Sequence, residues 1–317
     1  MRILGTGSAL PKRVVTNDEL TQFLDTSDEW IKTRTGISTR RVITTETLEE
    51  LGAQAAKNAL ENAGLSANDL DLIICSTVQG DQITPALGCM IQRAIGAKCP
   101  AFDLNAACPG FEYALDVAES YIASGRARNI LVVSSESVSY LCNWTDRSTC
   151  VLFGDGAGAA VVGQGGDYLS SHFVCEGGDE VLRAPMPNGN SPFTQRPVSW
   201  SGLYMNGPEV YKFAVAGSVR DIRTVVEQAG ISMDEVGHFV LHQANLRIIE
   251  AVRTRLKQPK EKFPHNIEHY GNTSSASVPI LLDELNRAGA LQKGEIVVLS
   301  AFGAGLCTGA CAIRWSK

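Results

Sequence analysis

Glu61-Asn62-Ala63-Gly64-Leu65-Ser66 returns later in the chain as Glu227-Gln228-Ala229-Gly230-Ile231-Ser232, 166 residues on. With no gap, the same offset lays Leu72-Ile73-Ile74-Cys75-Ser76 on His238-Phe239-Val240-Leu241-His242. It also carries residues 110–134 onto 276–300, where Ile130-Leu131-Val132-Val133-Ser134 meets Ile296-Val297-Val298-Leu299-Ser300. Three segments in one register predict an internal duplication. Each copy reads as helix, buried strand, connection, turn, helix, buried strand. Short apolar strands alternating with helices predict an α/β fold whose sheets are covered on both faces. The copies meet in the glycine-rich Gly163-Gln164-Gly165-Gly166, which divides the chain into an N-terminal half, 1–165, and a C-terminal half, 166–317. Two halves related in this way are expected to pack about a pseudo-twofold axis.

The bulk composition narrows the class. Of 317 residues, 44% are hydrophobic and 20% charged, as in ordinary globular domains. A net charge of −6, without a basic run, gives no reason to expect nucleic acid binding. The N-terminal stretch lacks the apolar core of a signal peptide, and nine cysteines without regular spacing predict reduced thiols in a cytoplasmic protein. Residues 296–313 contain no charge, but Gly303, Gly305 and Gly309 predict two buried strands joined by a turn rather than a membrane span.

Candidate chemistry starts at Cys108, in Ala101-Phe102-Asp103-Leu104-Asn105-Ala106-Ala107-Cys108-Pro109-Gly110-Phe111. A strand-like run there gives way to helical spacing, and proline is tolerated in a first helical turn. A thiol at such a junction faces unpaired backbone N–H groups and the positive end of a helix dipole. That predicts a pKa drawn from about 8.5 towards about 3.5–7.5. The competing reading is a small buried hydrophobe, and position alone does not choose between them. The repeat sets Ser274 opposite Cys108 and His242 opposite Ser76. Both positions lie at strand ends or helix starts, where reactive groups gather in open α/β sheets. His242 stands in Leu241-His242-Gln243-Ala244-Asn245-Leu246-Arg247, and Asn272 in Gly271-Asn272-Thr273-Ser274-Ser275. Alone, each has a structural reading, as a strand-end histidine and a helix cap. Together, a thiol can carry an acyl group while imidazole and amide stabilise charge on an acyl oxygen.

Two other motifs carry no such chemistry. His265-Asn266-Ile267-Glu268-His269 has the H-x-x-E-H zinc spacing, yet Pro264 and Gly271 bracket it and the repeat lays it on 99–103, a predicted strand. No metal is expected. Gly154-Asp155-Gly156-Ala157-Gly158 lacks phosphate-loop spacing and predicts a tight turn before an apolar strand.

With Thr26-Ser27-Asp28-Glu29-Trp30-Ile31, Thr33-Arg34-Thr35-Gly36-Ile37, Phe153-Gly154-Asp155-Gly156-Ala157-Gly158 and Ala301-Phe302-Gly303, these segments resemble β-ketoacyl-acyl carrier protein synthase III. That family holds the initiating condensing enzymes of type II fatty acid synthesis, in the thiolase superfamily, and the resemblance spans essentially the whole chain. It implies a duplicated, thiolase-like αβαβα five-layer fold and a homodimer. The implied substrates are an acyl-CoA primer and malonyl-acyl carrier protein, with no cofactor beyond the CoA thioester. Cys108 would be the nucleophile, and His242 and Asn272 the pair that stabilises the enolate after decarboxylation. Backbone N–H groups of Cys108, Ala304 and Gly305 would form the oxyanion hole. Trp30 and Arg147 match the pair that sandwiches the CoA adenine, with Arg34 near its phosphates. Gln243, Ala244, Asn245, Leu246 and Arg247, with Lys212, match the carrier-protein contacts.

The chain departs from the pattern in three places. Thr84 stands where many relatives carry a bulky phenylalanine at the acyl pocket, contributed across the dimer, which implies tolerance of longer or branched primers. Leu306-Cys307-Thr308-Gly309 replaces a Thr-Trp-Gly segment, and Ala304 replaces a glycine of some members. The alternatives are a specialised secondary-metabolite condensing enzyme, or an acyltransferase using the same Cys108. A silent carrier-binding subunit would not require the complete Cys-His-Asn set.

Overall fold

The computed structural model describes residues 1–186, 193 and 201–317. One sheet contains β1 (Arg2–Ala9), β4 (Leu72–Ser76), β5 (Ala101–Leu104), β6 (Asn129–Ser137) and β7 (Asp155–Gly163), in the order β1-β7-β6-β4-β5. The other contains β8 (Tyr168–Gly178), β11 (Val236–Leu241), β12 (Ile296–Gly303) and β13 (Gly305–Arg314), in the order β8-β13-β12-β11. Apart from β5, the orders correspond strand for strand. In each, a parallel pair (β4 with β6, β11 with β12) continues into two antiparallel pairings. Two ribbons lie apart, β2 (Arg13–Thr16) with β3 (Thr39–Val42), and β9 (Leu182–Arg183) with β10 (Tyr204–Met205).

Helices complete five layers. α3 (Leu48–Ala63) and α4 (Leu87–Ile95) cover the outer face of the first sheet, while α6 (Gly207–Gln228) and α7 (Leu246–Leu256) cover that of the second. α5 (Gly110–Ala123) and α9 (Ser277–Arg287) lie between the sheets. Side chains alternate along each strand, so Ile74, Val132 and Val162 face the central helices while Ile73, Leu131 and Val161 face α3 and α4. Both faces are therefore apolar, which is why the strands read as continuous hydrophobic runs. Each fully buried side chain of this kind contributes about 1.5–3 kcal/mol relative to exposure. The short helices α1 (Asn17–Leu20), α2 (Asp28–Thr35) and α8 (Ile267–Tyr270) sit outside these layers.

The structure corrects four sequence expectations. First, the second sheet has no copy of β5, because the segment laid on 99–103 contains α8 instead of a strand. Glu284 pins this turn from α9, accepting from Asn266 Nδ2 at 2.7 Å and Tyr270 Oη at 2.6 Å. His265 Nδ1 there lies 3.0 Å from Glu268 Oε2. Second, the register slips by one at the central helices. Positive φ occurs at Ala107 (51°) and Ser274 (52°), and α5 and α9 each start three residues later. The backbone counterpart of Cys108 is thus Ser275 rather than Ser274.

Third, Asp155 already belongs to β7, so the Gly154–158 motif is mainly strand rather than a turn before it. A Cβ on Gly158 would come 2.8 Å from Ile280 N, so glycine lets β7 touch the start of α9. Fourth, Cys175 and Cys307 form a disulfide and are not both free thiols. They are cross-strand neighbours on β8 and β13, a pairing hidden by their separation of 132 residues. Residues 296–313 do form two buried strands, β12 and most of β13, joined at Ala304. Among the described residues, no helix is long and apolar enough to cross a membrane.

Candidate active site

Cys108 stands just before α5, in a turn set by the positive φ of Ala107. Ser274 Oγ donates to Cys108 Sγ at 3.6 Å, bringing the two halves into contact at the thiol. Burial pushes the thiol up to about 12; Ser274 partly offsets this, and the nearby Glu136 and Glu112 add to it. This opposes the low-pKa thiolate expected beside the helix start, since taking sulfur out of water disfavours its charged form, while Cys108 itself is half-buried at the cavity wall. Behind it, Glu136 accepts from Ser275 Oγ at 2.6 Å and from Val78 N at 3.0 Å. Burial raises its carboxyl to about 7.

His242 follows the last residue of β11 and is 2% exposed. Its Nδ1 lies 2.7 Å from Ser277 Oγ, and its ring meets Phe302 edge-on at 5.3 Å between centroids. Burial lowers its pKa to about 3, so the imidazole is neutral at neutral pH. Asn272 is held on both sides of its backbone, by Leu152 O at 2.8 Å and Gly154 N at 3.0 Å. Its Oδ1 accepts from Ser274 N at 2.9 Å, which leaves the amide –NH2 as the side chain's donor without a partner among the described residues.

Cys108, His242, Asn272, Ser274, Gly303 and Ala304 line one cavity of about 720 Å³. Much of its remaining wall is apolar, including Val78, Val138, Leu141, Phe153 and Leu203. Arg34, Arg183, Lys212 and Arg247 also border it, and no Asp or Glu occurs in the lining among the described residues. A Cβ on Gly303 would stand 2.8 Å from Cys108 N, so glycine allows β12 to approach the amide of Cys108.

Two family models match the chain: "3-Oxoacyl-[acyl-carrier-protein (ACP)] synthase III" over residues 102–177, and the C-terminal model of the same description over 226–315. A β-ketoacyl-[acyl-carrier-protein] synthase III of Clostridium acetobutylicum is 42% identical, with 100% of this chain and 99% of the relative covered. The crystal structure of the 3-oxoacyl-[acyl-carrier-protein] synthase III of Aquifex aeolicus is 44% identical. It aligns at a TM-score of 0.93 over 99% of each chain. The chain belongs to the β-ketoacyl-acyl carrier protein synthase III family. It is a thiolase-fold condensing enzyme of the acyltransferase class, serving the initiating condensation of fatty acid synthesis. The priming β-ketosynthase of the R1128 polyketide pathway shares the fold at a TM-score of 0.94, with 39% identity over 100% of this chain and 96% of that one.

Around this core, the residues expected from the family pattern are placed unequally. The guanidinium groups of Arg34 and Arg147 lie 4.6 and 5.2 Å from the centre of the Trp30 ring. Trp30 and Arg34 border the cavity, whereas Arg147 reaches it through the indole and is tied to Asp25. Asn245 caps α7 and donates from Nδ2 to Arg34 O at 3.0 Å. Lys212 pairs with Glu209 at 2.8 Å, and Arg247 lies 6.0 Å from the Tyr211 ring centre. Leu246 packs against Gly36, and Ala244 is buried in the cavity wall.

Gln243 is a correction. It is 1% exposed, and its side chain is spent on Leu241 O and Asn266 N, which removes it from a docking surface. Gly305, unlike Ala304, is not part of the cavity lining. Thr84 is exposed on a loop and does not reach the cavity within one chain. The sequence reading missed Ser277, Phe302 and Glu136 as neighbours of the site. A charged residue among the serines that end β6, a strand opened by an apolar run, was the one available signal, for Glu136.

Proposed function

We propose that this chain condenses an acyl-CoA primer with malonyl-acyl carrier protein, using Cys108, His242 and Asn272. The supporting observation is their convergence on a cavity without a carboxylate in its described lining, since a carboxylate would oppose formation of an enolate. Cys108 Sγ attacks the primer carbonyl, and the Cys108 and Ala304 N–H groups hold the oxyanion. The CoA sulfur leaves with the Cys108 proton, giving the acyl-Cys108 thioester and free CoA. Malonyl-carrier protein then loses CO2, and the electron pair moves onto its thioester oxygen, which accepts from His242 and Asn272. The resulting carbanion attacks acyl-Cys108, breaks the C–S bond and forms 3-ketoacyl-carrier protein. The released thiolate takes a proton from solvent. The CoA thioester supplies the activation, so the scheme calls on no further cofactor.

In this reading Trp30 and Arg147 hold the adenine, Arg34 its phosphates, and Lys212, Asn245 and Arg247 the carrier protein. The local cations make an acidic partner compatible with a chain of net negative charge. A homodimer in the cytoplasm completes the proposal, with Thr84 shaping the partner's acyl pocket. The 87% exposed Ile83 beside it is an apolar surface suited to cover by a second copy. The test separates the two half-reactions. His242→Ala and Asn272→Ala should still acylate Cys108 while malonyl decarboxylation falls about 10²–10³-fold. Equal loss of both half-reactions would overturn the assignment.

A further inference from the structure

We propose that Ser277 is a positioning residue that holds His242 in the tautomer protonated on Nε2, so that His242 meets substrate as a donor and not as a base. Ser277 opens α9 and is 2% exposed. Its Oγ has two described partners, Gln243 N at 3.3 Å and His242 Nδ1 at 2.7 Å. A hydroxyl has one proton to give and two lone pairs to receive with. The Gln243 N–H can only donate, so it takes a lone pair. Among the described residues Nδ1 is the one acceptor within reach of this buried hydroxyl, and a proton on Nδ1 would leave the hydroxyl hydrogen with none, so the hydroxyl proton is directed at Nδ1.

A neutral imidazole that accepts at Nδ1 carries its proton on Nε2. His242 is further fixed by its own N–H, which donates to Ser300 O at 2.8 Å, and by the Phe302 ring. The related half lacks the device. Where the second half has His242 and Ser277, the first has Ser76 and Gly110, and Ser76 Oγ is buried without a partner among the described residues. The pair therefore belongs to the half that contributes the imidazole, and is not part of the shared scaffold.

The consequence is a division of labour. Nε2–H can stabilise the enolate oxygen, but its nitrogen has no lone pair free for the Cys108 proton. That proton must leave with the CoA sulfur. This inference rests on the role given to His242 above, but the tautomer can be read without activity. In protein labelled with 15N-histidine, long-range 1H–15N spectra should show His242 protonated on Nε2 and bare on Nδ1, the signal being identified by its loss in His242→Ala.

Ser277→Ala should mix the tautomers and lower malonyl decarboxylation about 10–100-fold, the range found when the orienting partner of a metal-bound histidine is lost. Acylation of Cys108 should change less than about twofold, and Ser277→Thr should restore the wild-type spectrum and rate. A proton on Nδ1 in the wild type, or equal loss of both half-reactions in Ser277→Ala, would overturn the proposal. Protonated Nε2 together with unimpaired decarboxylation in His242→Ala would uphold the tautomer and remove the role given to His242.

Discussion

Cys108 lies beside the start of α5, yet desolvation pushes its thiol up, by more than the Ser274 contact returns. The same physics acts on Glu112, in the first turn of that helix. It is 0% exposed, both carboxyl oxygens lack a partner among the described residues, and burial raises its pKa from 4.5 to about 8. The folded state therefore keeps a proton that the unfolded chain releases. Stability should fall as pH rises from about 4.5 to about 8, by an amount on the order of 5 kcal/mol for the full shift. His242 acts in the opposite direction: its neutral form favours folding above about 6.5, and that contribution is lost as pH falls towards about 3. Glu112→Gln removes the carboxyl's share. Calorimetry should show a larger gain in Tm over wild type at pH 9 than at pH 5; equal gains would contradict the buried carboxylic acid.

β4, β6, β11 and β12 were legible in the sequence because burial on both faces leaves an apolar run that tolerates little change. The approach to the central helices was less so. A one-residue slip there changes no buried strand, and the connections at each end of the helix absorb it. The missing copy of β5 was hidden because Asn266 and Tyr270 are held by Glu284, a contact between distant residues. Cys108, His242 and Asn272 could be singled out, but the Ser277 contact depends on how β11 meets α9, which no spacing records. β12 carries its own constraint, since Gly303 abuts Cys108 N at the distance where a Cβ would intrude. Gly303→Ala should displace that amide and slow CoA release from acyl-CoA about 10²–10³-fold, the cost of one oxyanion donor. An unchanged rate in a stopped-flow thiol assay would contradict the placement.

At the scale of the whole molecule, duplication produces a site that neither half holds alone. The first half contributes Cys108, and the second His242 and Asn272, with Ser274 touching the thiol across the seam. The two sheets press α5 and α9 together, so the start of each central helix faces the same cavity. One nucleophile then serves two successive acyl thioesters, provided that Cys108 is the group that changes mass. The direct measurement is the intact mass of the purified chain after acyl-CoA and again after malonyl-carrier protein. The expected result is one acyl group, mapped to Cys108 and absent in Cys108→Ser, which disappears with release of CO2 and appearance of 3-ketoacyl-carrier protein. An unmodified Cys108, or an acyl-Cys108 that malonyl-carrier protein does not discharge, would contradict the account.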